Sequence, residues 1–162
     1  MMVSIRLATE NDQAQILALA RGERIKPFGL AWPNFVVAEQ AGRLVGAVQL
    51  RRHRDGSLEL GSLVVASALR KQGIAARLID RRLEGVTGRV LIITGRRYAE
   101  HYSRWGFARI APDAAPSSIR LHYWMGHLGG RVVSVFQRRA FNPLAVLDRV
   151  GSMADRPGEP RA

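Results

Sequence analysis

The chain has no cysteine, which excludes disulfide bonds, thiolate metal ligands and a covalent cysteine intermediate. A reducing cytoplasm fits that composition. Lysine is almost missing as well: of 25 basic residues only Lys26 and Lys71 are not arginine, against 13 acidic residues. The resulting net charge of +12 raises the question of a polyanionic partner such as nucleic acid. The arginines are scattered along the chain and form no single block, which describes an arginine-rich solvated surface better than a nucleic-acid footprint. Long apolar runs are absent too, none approaching the roughly 18 to 20 residues that span a bilayer. The opening Met1 to Leu7 has no charged leader followed by an apolar stretch, so a cytoplasmic protein with no membrane partner is expected. What remains is a globular composition, 47% hydrophobic and 23% charged over 162 residues, suited to one domain around one core. That domain is expected over residues 1–150, with its core in 3–111 and an extension over 112–150. The tail from 151 to 162, rich in Pro, Gly and charge, reads as disordered.

Val3 to Leu7 alternates polar and apolar residues, the period of a half-buried strand. Thr9 precedes Asp12 by three residues, a helix-start pattern of the capping-box kind, and a first helix is expected over about Asn11 to Arg21. Arg24 to Asn34, with two prolines and a glycine, reads as an irregular loop. Phe35 to Glu39, Arg43 to Arg52 and Ser57 to Val65 are β-rich and are separated by Ala41-Gly42 and Asp55-Gly56. Three antiparallel strands joined by tight turns follow. Gly73 to Leu83 predicts a helix with Ile74, Leu78, Ile79 and Leu83 inward and Arg77, Arg81 and Arg82 outward. Val90 to Ile93, Tyr98 to Arg104 and Phe107 to Ala111 read as strand, short helix and strand.

The C-terminal part carries fewer signals. Ser117 or Ser118 could cap a helix from Ile119 to Leu128, with Gly129-Gly130 ending it, Arg131 to Arg139 left open between helix and strand, and Leu144 to Asp148 closing as a strand. Trp124, Met125, Val132, Val135 and Phe136 are expected to pack on the core or on a second subunit, which leaves a homodimer open.

The most informative stretch runs Leu63-Val64-Val65-Ala66-Ser67-Ala68-Leu69-Arg70-Lys71-Gln72-Gly73-Ile74-Ala75-Ala76. An apolar strand enters a basic loop, and a helix starts at a glycine. Unpaired N–H groups at such a start, with the positive end of the helix dipole, suit a phosphate group. Gly73 and Ala75 would let an anion approach the backbone, while Arg70 and Lys71 add positive charge. An ordinary strand-to-helix turn remains the alternative on this segment alone. It lacks the Gly-Lys-Ser/Thr ending of a nucleotide-binding P-loop.

Arg70-Lys71-Gln72-Gly73-Ile74-Ala75 resembles the Arg/Gln-x-x-Gly-x-Gly/Ala signature of the GNAT superfamily of acetyl-CoA-dependent N-acetyltransferases. Glu59-Leu60 followed by Leu63 and Val65 is similar to that family's fourth strand. Ala99-Glu100-His101-Tyr102-Ser103-Arg104-Trp105-Gly106-Phe107 looks like its Ala-x-x-Phe-Tyr-x-x-x-Gly-Phe segment. The order β-α-β-β-β-α-β-α-β is also the family's, and the resemblance covers about Val3 to Ile110. It implies an α/β fold: a mixed, mostly antiparallel sheet of six to seven strands with helices on both faces, opening between the fourth and fifth strands. It further implies that the loop binds the coenzyme A pyrophosphate through backbone amides, and that the coenzyme is held by Leu63, Val64, Val65, Arg70, Lys71, Gln72, Gly73, Ile74, Ala75, Ala76 and Arg96. Arg96 stands where many members have Asn, and His101 where they have Phe.

By the same resemblance Tyr102 is the acid that protonates the departing thiolate, a role suited to a phenol protonated at neutral pH. Its alternative is a ring packed on Trp105 and Phe107. Glu59 takes the place of the base that deprotonates the amine, its alternative being a strand carboxylate paired with an arginine; Glu39 is a weaker substitute. His53, His122 and His127 show no spacing with carboxylates that indicates a metal site, so no metal is expected. No Gly-x-Ser-x-Gly elbow supports a hydrolase. The expected activity is acetyl transfer from acetyl-CoA to a primary amine by direct attack in a ternary complex, which the missing cysteine favours independently. The alternative is a non-catalytic module of the same fold that binds coenzyme A or a nucleic-acid backbone.

Overall fold

The computed structural model describes residues 2–23, 25, 29–137 and 143–149, with the backbone alone over 129–137. Seven strands, β1 (Ser4–Leu7), β2 (Phe35–Gln40), β3 (Arg43–Arg52), β4 (Leu58–Val65), β5 (Val90–Gly95), β6 (Ala108–Ile110) and β7 (Leu144–Arg149), form a sheet of order β1-β2-β3-β4-β5-β7-β6, the mixed, mostly antiparallel architecture expected. The chain divides into two compact units, one of residues up to 51 with 60–85, the other of residues 52–59 with those from 86 onward.

In the first unit, Thr9 and Asp12 form the capping box, Thr9 N–H donating to Asp12 Oδ2 at 2.7 Å. The box opens a short 3-10 turn, Glu10–Asp12, that runs into α1, Gln13–Gly22. Arg6 on β1 (Ser4–Leu7) donates to both Asp12 oxygens and to Glu39 Oε2 on β2 (Phe35–Gln40). Glu39 is thereby engaged in tying β1 to β2. The β2–β3 hairpin turns at Ala41 and Gly42, with φ of 51° and 75°, a primed turn whose twist matches the strands.

Val36, Val37 and Ala38 are all fully buried, so β2 is covered on both faces. Phe35 and Val37 pack with Ile16 and Ala20 of α1 and with Leu44 and Ala47 of β3, Arg43–Arg52. Each large side chain so buried contributes about 1.5 to 3 kcal/mol. Helix α2, Ile74–Leu83, buries Ile74, Leu78, Ile79 and Leu83 as its period predicts. Arg82 departs from the expected outward face. It is half-buried, donates to the carbonyls of Asn34 and Leu50, and burial lowers its pKa. A long side chain can reach past its own helix face to carbonyls of a neighbouring strand, which spacing does not register.

The second unit contains the hairpin of residues 52–59, strands β5 (Val90–Gly95), β6 (Ala108–Ile110) and β7 (Leu144–Arg149), the 3-10 segment Arg96–Trp105 and helix α3, Ser117–Gln137. β7 pairs antiparallel with both β5 and β6, and β5 runs parallel to β4 (Leu58–Val65) over Leu58↔Val90 and Glu59↔Leu91. Ile119 and Tyr123 of α3 pack on Leu91 and Val146.

Two expectations about α3 are corrected. Gly129-Gly130 does not end the helix, which continues to Gln137; a glycine weakens a helix by about 1 kcal/mol without blocking its hydrogen bonds. The cap is not a local serine either. Asp55 Oδ2 accepts from Ser118 N–H at 3.0 Å and from Ser117 Oγ at 3.3 Å. Trp124 and Met125, with 48% and 62% of their surface exposed, are not part of this chain's core. The side chains of Val132, Val135 and Phe136, and the tail 151–162, lie outside the described residues. Among the described residues no helix is long and apolar enough to cross a membrane.

Candidate functional site

Strand β4 delivers Val64 and Val65 side chains to the interior, so these two offer a ligand only their backbone. Leu63 is half-buried. The chain leaves β4 through the 3-10 turn Ser67–Leu69, and Glu23 at the end of α1 fastens that turn. Its carboxylate accepts from Ser67 N–H at 3.0 Å and pairs with Arg70. Arg70 Nε also donates to Val65 O at 3.1 Å. Arg70 therefore shapes the loop, and its charge is met by Glu23.

Lys71 and Gly73 both have left-handed backbone, φ 64° and 76°, flanking the exposed Gln72. A left-handed lysine costs about 1 kcal/mol, and such strain gathers at working segments. Gly73 serves as the N-cap of α2, and Arg77 N–H is bonded to Gly73 O at 3.1 Å. The amides of Ile74, Ala75 and Ala76 precede it in the first turn, where a helix has no internal acceptor. A Cβ placed on Gly73 would meet nothing within 4 Å. Three first-turn amides without an intrahelical acceptor thus follow an exposed glycine at the positive end of the helix dipole, an arrangement suited to a phosphate. Ile74 contributes its amide alone, because its side chain is core.

β4 also holds a feature that composition hides. Ser62 has φ 50° in mid-strand, a local departure of the kind that re-aims side chains at functional sites. Its hydroxyl accepts from Gln49 Nε2 at 2.8 Å, and Gln49 is buried. A glycine would have signalled this backbone; a serine does not.

In the second unit, Glu59 is 8% exposed. Its Oε2 lies 2.7 Å from His53 Nε2 and 3.3 Å from His122 Nδ1. The rings of these two histidines meet edge to face at 4.9 Å. Sequence spacing missed this cluster, because His53 and His122 lie on a hairpin and on α3, 6 and 63 residues from Glu59.

Tyr102 sits in the Arg96–Trp105 segment with ring centroids 6.1 Å from Trp105 and 6.2 Å from Phe107. Burial pushes its phenol above the ordinary value, and a hydrogen bond with Thr94 opposes that shift. The group is an acid at neutral pH. His101 is exposed beside it, with centroids 5.9 Å apart. Arg96 is exposed and its N–H donates to Pro143 O at 2.7 Å.

Residues 31–109 match the family model described as an acetyltransferase (GNAT) domain. No curated protein sequence matches the chain. Among solved structures, N-acetylglutamate synthase from Neisseria gonorrhoeae, complexed with coenzyme A and N-acetyl-glutamate, is similar at TM-score 0.70 and 21% identity, covering 92% of this chain and 35% of that one. This chain therefore spans about a third of that synthase. Rv2747 from Mycobacterium tuberculosis, in complex with coenzyme A, matches at TM-score 0.64 and 21% identity over 91% of this chain and 98% of that one. Escherichia coli ElaA matches at TM-score 0.64 and 14% identity over 91% and 99%. The family match takes in strands β2 to β5, the Arg70–Ala75 loop and the Tyr102 segment, so this part of the chain is a GNAT acetyltransferase domain.

Proposed function

We propose that the chain transfers an acetyl group from acetyl-CoA to a primary amine by direct attack in a ternary complex, in the cytoplasm. The observation that carries this reading is the start of α2: Gly73 exposed and in left-handed backbone, with room for a Cβ, followed by first-turn amides that have no intrahelical acceptor. The pyrophosphate of the coenzyme binds there, with Lys71 supplying charge, Arg70 holding the loop, and the backbone of Leu63 to Val65 pairing with the pantetheine arm as an added strand would.

The chemistry then falls to two groups of the second unit. Glu59 accepts the proton that the amine gives up as its nitrogen bonds to the thioester carbon. Collapse of the tetrahedral adduct breaks the C–S bond, and the Tyr102 phenol donates its proton to the leaving thiolate. Burial favours Tyr102 in the protonated form that this step requires.

The test is a thiol-release assay of the purified protein against a panel of amines, run beside thermal stabilisation by acetyl-CoA. Stabilisation with thiol release that depends on the amine is expected. Stabilisation without turnover on any amine points instead to a coenzyme-binding module.

A further inference from the structure

Among the described residues one group of three metal-competent side chains converges: His53, Glu59 and His122, whose ligand atoms all lie within 4.8 Å of one another. The two imidazole nitrogens approach the same oxygen, Glu59 Oε2, at 2.7 and 3.3 Å. A tetrahedral ion with bonds of about 2.05 Å spaces its ligand atoms about 3.3 Å apart and two bound imidazole centroids about 5 Å apart. The His53 and His122 centroids stand at 4.9 Å, and the His122–Glu59 edge is already 3.3 Å. The His53–Glu59 edge of 2.7 Å needs to open by about 0.6 Å to reach that spacing.

The surroundings suit an ion. The side chains of His53 and Glu59 are 8% and 10% exposed, and that of His122 is 37% exposed, so the cluster is walled by two ligands and reachable past the third. Asp55, two residues from His53, bonds to the start of α3 and so holds the helix that carries His122 against the hairpin that carries the other two. Two imidazoles and one carboxylate select borderline transition ions over calcium or magnesium, which prefer all-oxygen sites.

We propose that His53 Nε2, Glu59 Oε2 and His122 Nδ1 bind a divalent transition ion of the zinc class, with a fourth position open to water. Resting on the reading of Glu59 as the base, the bound ion takes the lone pair that would accept the amine proton, and acetyl transfer stops. The site is then a metal-operated brake on the enzyme.

The test begins with isothermal titration of the full chain with zinc chloride. One zinc per chain is expected, and His122→Ala and His53→Gln each weaken binding by about tenfold or more, whereas His101→Ala binds as wild type and magnesium chloride gives no binding. Circular dichroism accompanies each variant; His122, the more exposed ligand, decides the matter if His53→Gln does not fold. Absence of 1:1 zinc binding tighter than about 100 µM, or wild-type affinity in His122→Ala, overturns the site. Zinc inhibition of acetyl transfer, reversed by chelator and lost in His122→Ala, is expected in the second stage. A chain that binds zinc through these histidines and still transfers at full rate keeps the site but overturns the brake, and with it Glu59 as base.

Discussion

Asp55 Oδ2 accepts a hydrogen bond from the backbone N–H of Ser118 at 3.0 Å, across 63 residues of sequence. The hairpin that holds His53 and Glu59 thereby caps the helix that holds His122. The Ser57 hydroxyl, then the Ser118 and Ser57 amides, hold the Asp55 carboxyl well below the usual carboxylate range. A carboxyl whose folded pKa lies below its unfolded one stabilises the fold fully above the unfolded value, about 3.9, and loses that contribution as pH falls through the folded value. Wild type is therefore expected to melt above Asp55→Ala by a constant margin from about pH 8 to pH 5, with the margin shrinking below about pH 4. Melting curves of the two proteins across that range check this; equal melting temperatures at neutral pH contradict the cap.

Gly73→Glu places a carboxylate where the pyrophosphate is proposed to bind and forces an L side chain into left-handed backbone. Acetyl-CoA at about 100 times its Kd is expected to stabilise wild type by about 2.7 kcal/mol and the variant not at all. Gly73→Ala adds only the backbone strain, about 1 kcal/mol, and is expected to retain stabilisation. Equal thermal shifts in wild type and Gly73→Glu would remove the phosphate site from this loop.

Tyr102→Phe keeps the ring contacts with Trp105 and Phe107 and removes only the oxygen. With an accepted amine, kcat is expected to fall by about 10² while acetyl-CoA affinity holds. Thr94→Val, which deletes the hydrogen bond to that oxygen, is expected to act more mildly because the acid itself remains. Wild-type kcat in the Phe variant would return Tyr102 to a packing role.

Gly46 on β3 has no room for a methyl group. A Cβ there would meet Leu78 Cδ1 at 3.0 Å, Val64 O at 3.2 Å and Ala38 Cβ at 3.3 Å. Of these only the Leu78 tip can yield easily, so Gly46→Ala is expected to destabilise by roughly 1 to 3 kcal/mol. Urea unfolding of the variant, with an unchanged m-value, measures it; unaltered stability would mean that β3 and α2 pack less tightly than these distances imply.

Local rules carried far in this chain. The Ala41-Gly42 turn, the Thr9–Asp12 box and the buried face of α2 all follow from contacts within a few residues, and periods of 2 and 3.6 report such contacts directly. The Arg70–Ala75 loop was legible for a related reason: its glycine and the helix start it caps are consecutive in the chain. The sequence by itself therefore determined the strands and the first two helices.

The tertiary structure decided what depends on approach between distant segments. Glu23 reaches Arg70 across 47 residues, Asp55 reaches Ser117 across 62, and His122 reaches Glu59 across 63. No pattern of residue types announces these pairs, because a charged side chain is satisfied by whichever partner the fold brings near it. Helix α3 passed through Gly129-Gly130 for the same reason: a weak local preference, about 1 kcal/mol per glycine, yields to a long helix anchored by Ile119 and Tyr123 in the core and capped from another part of the chain.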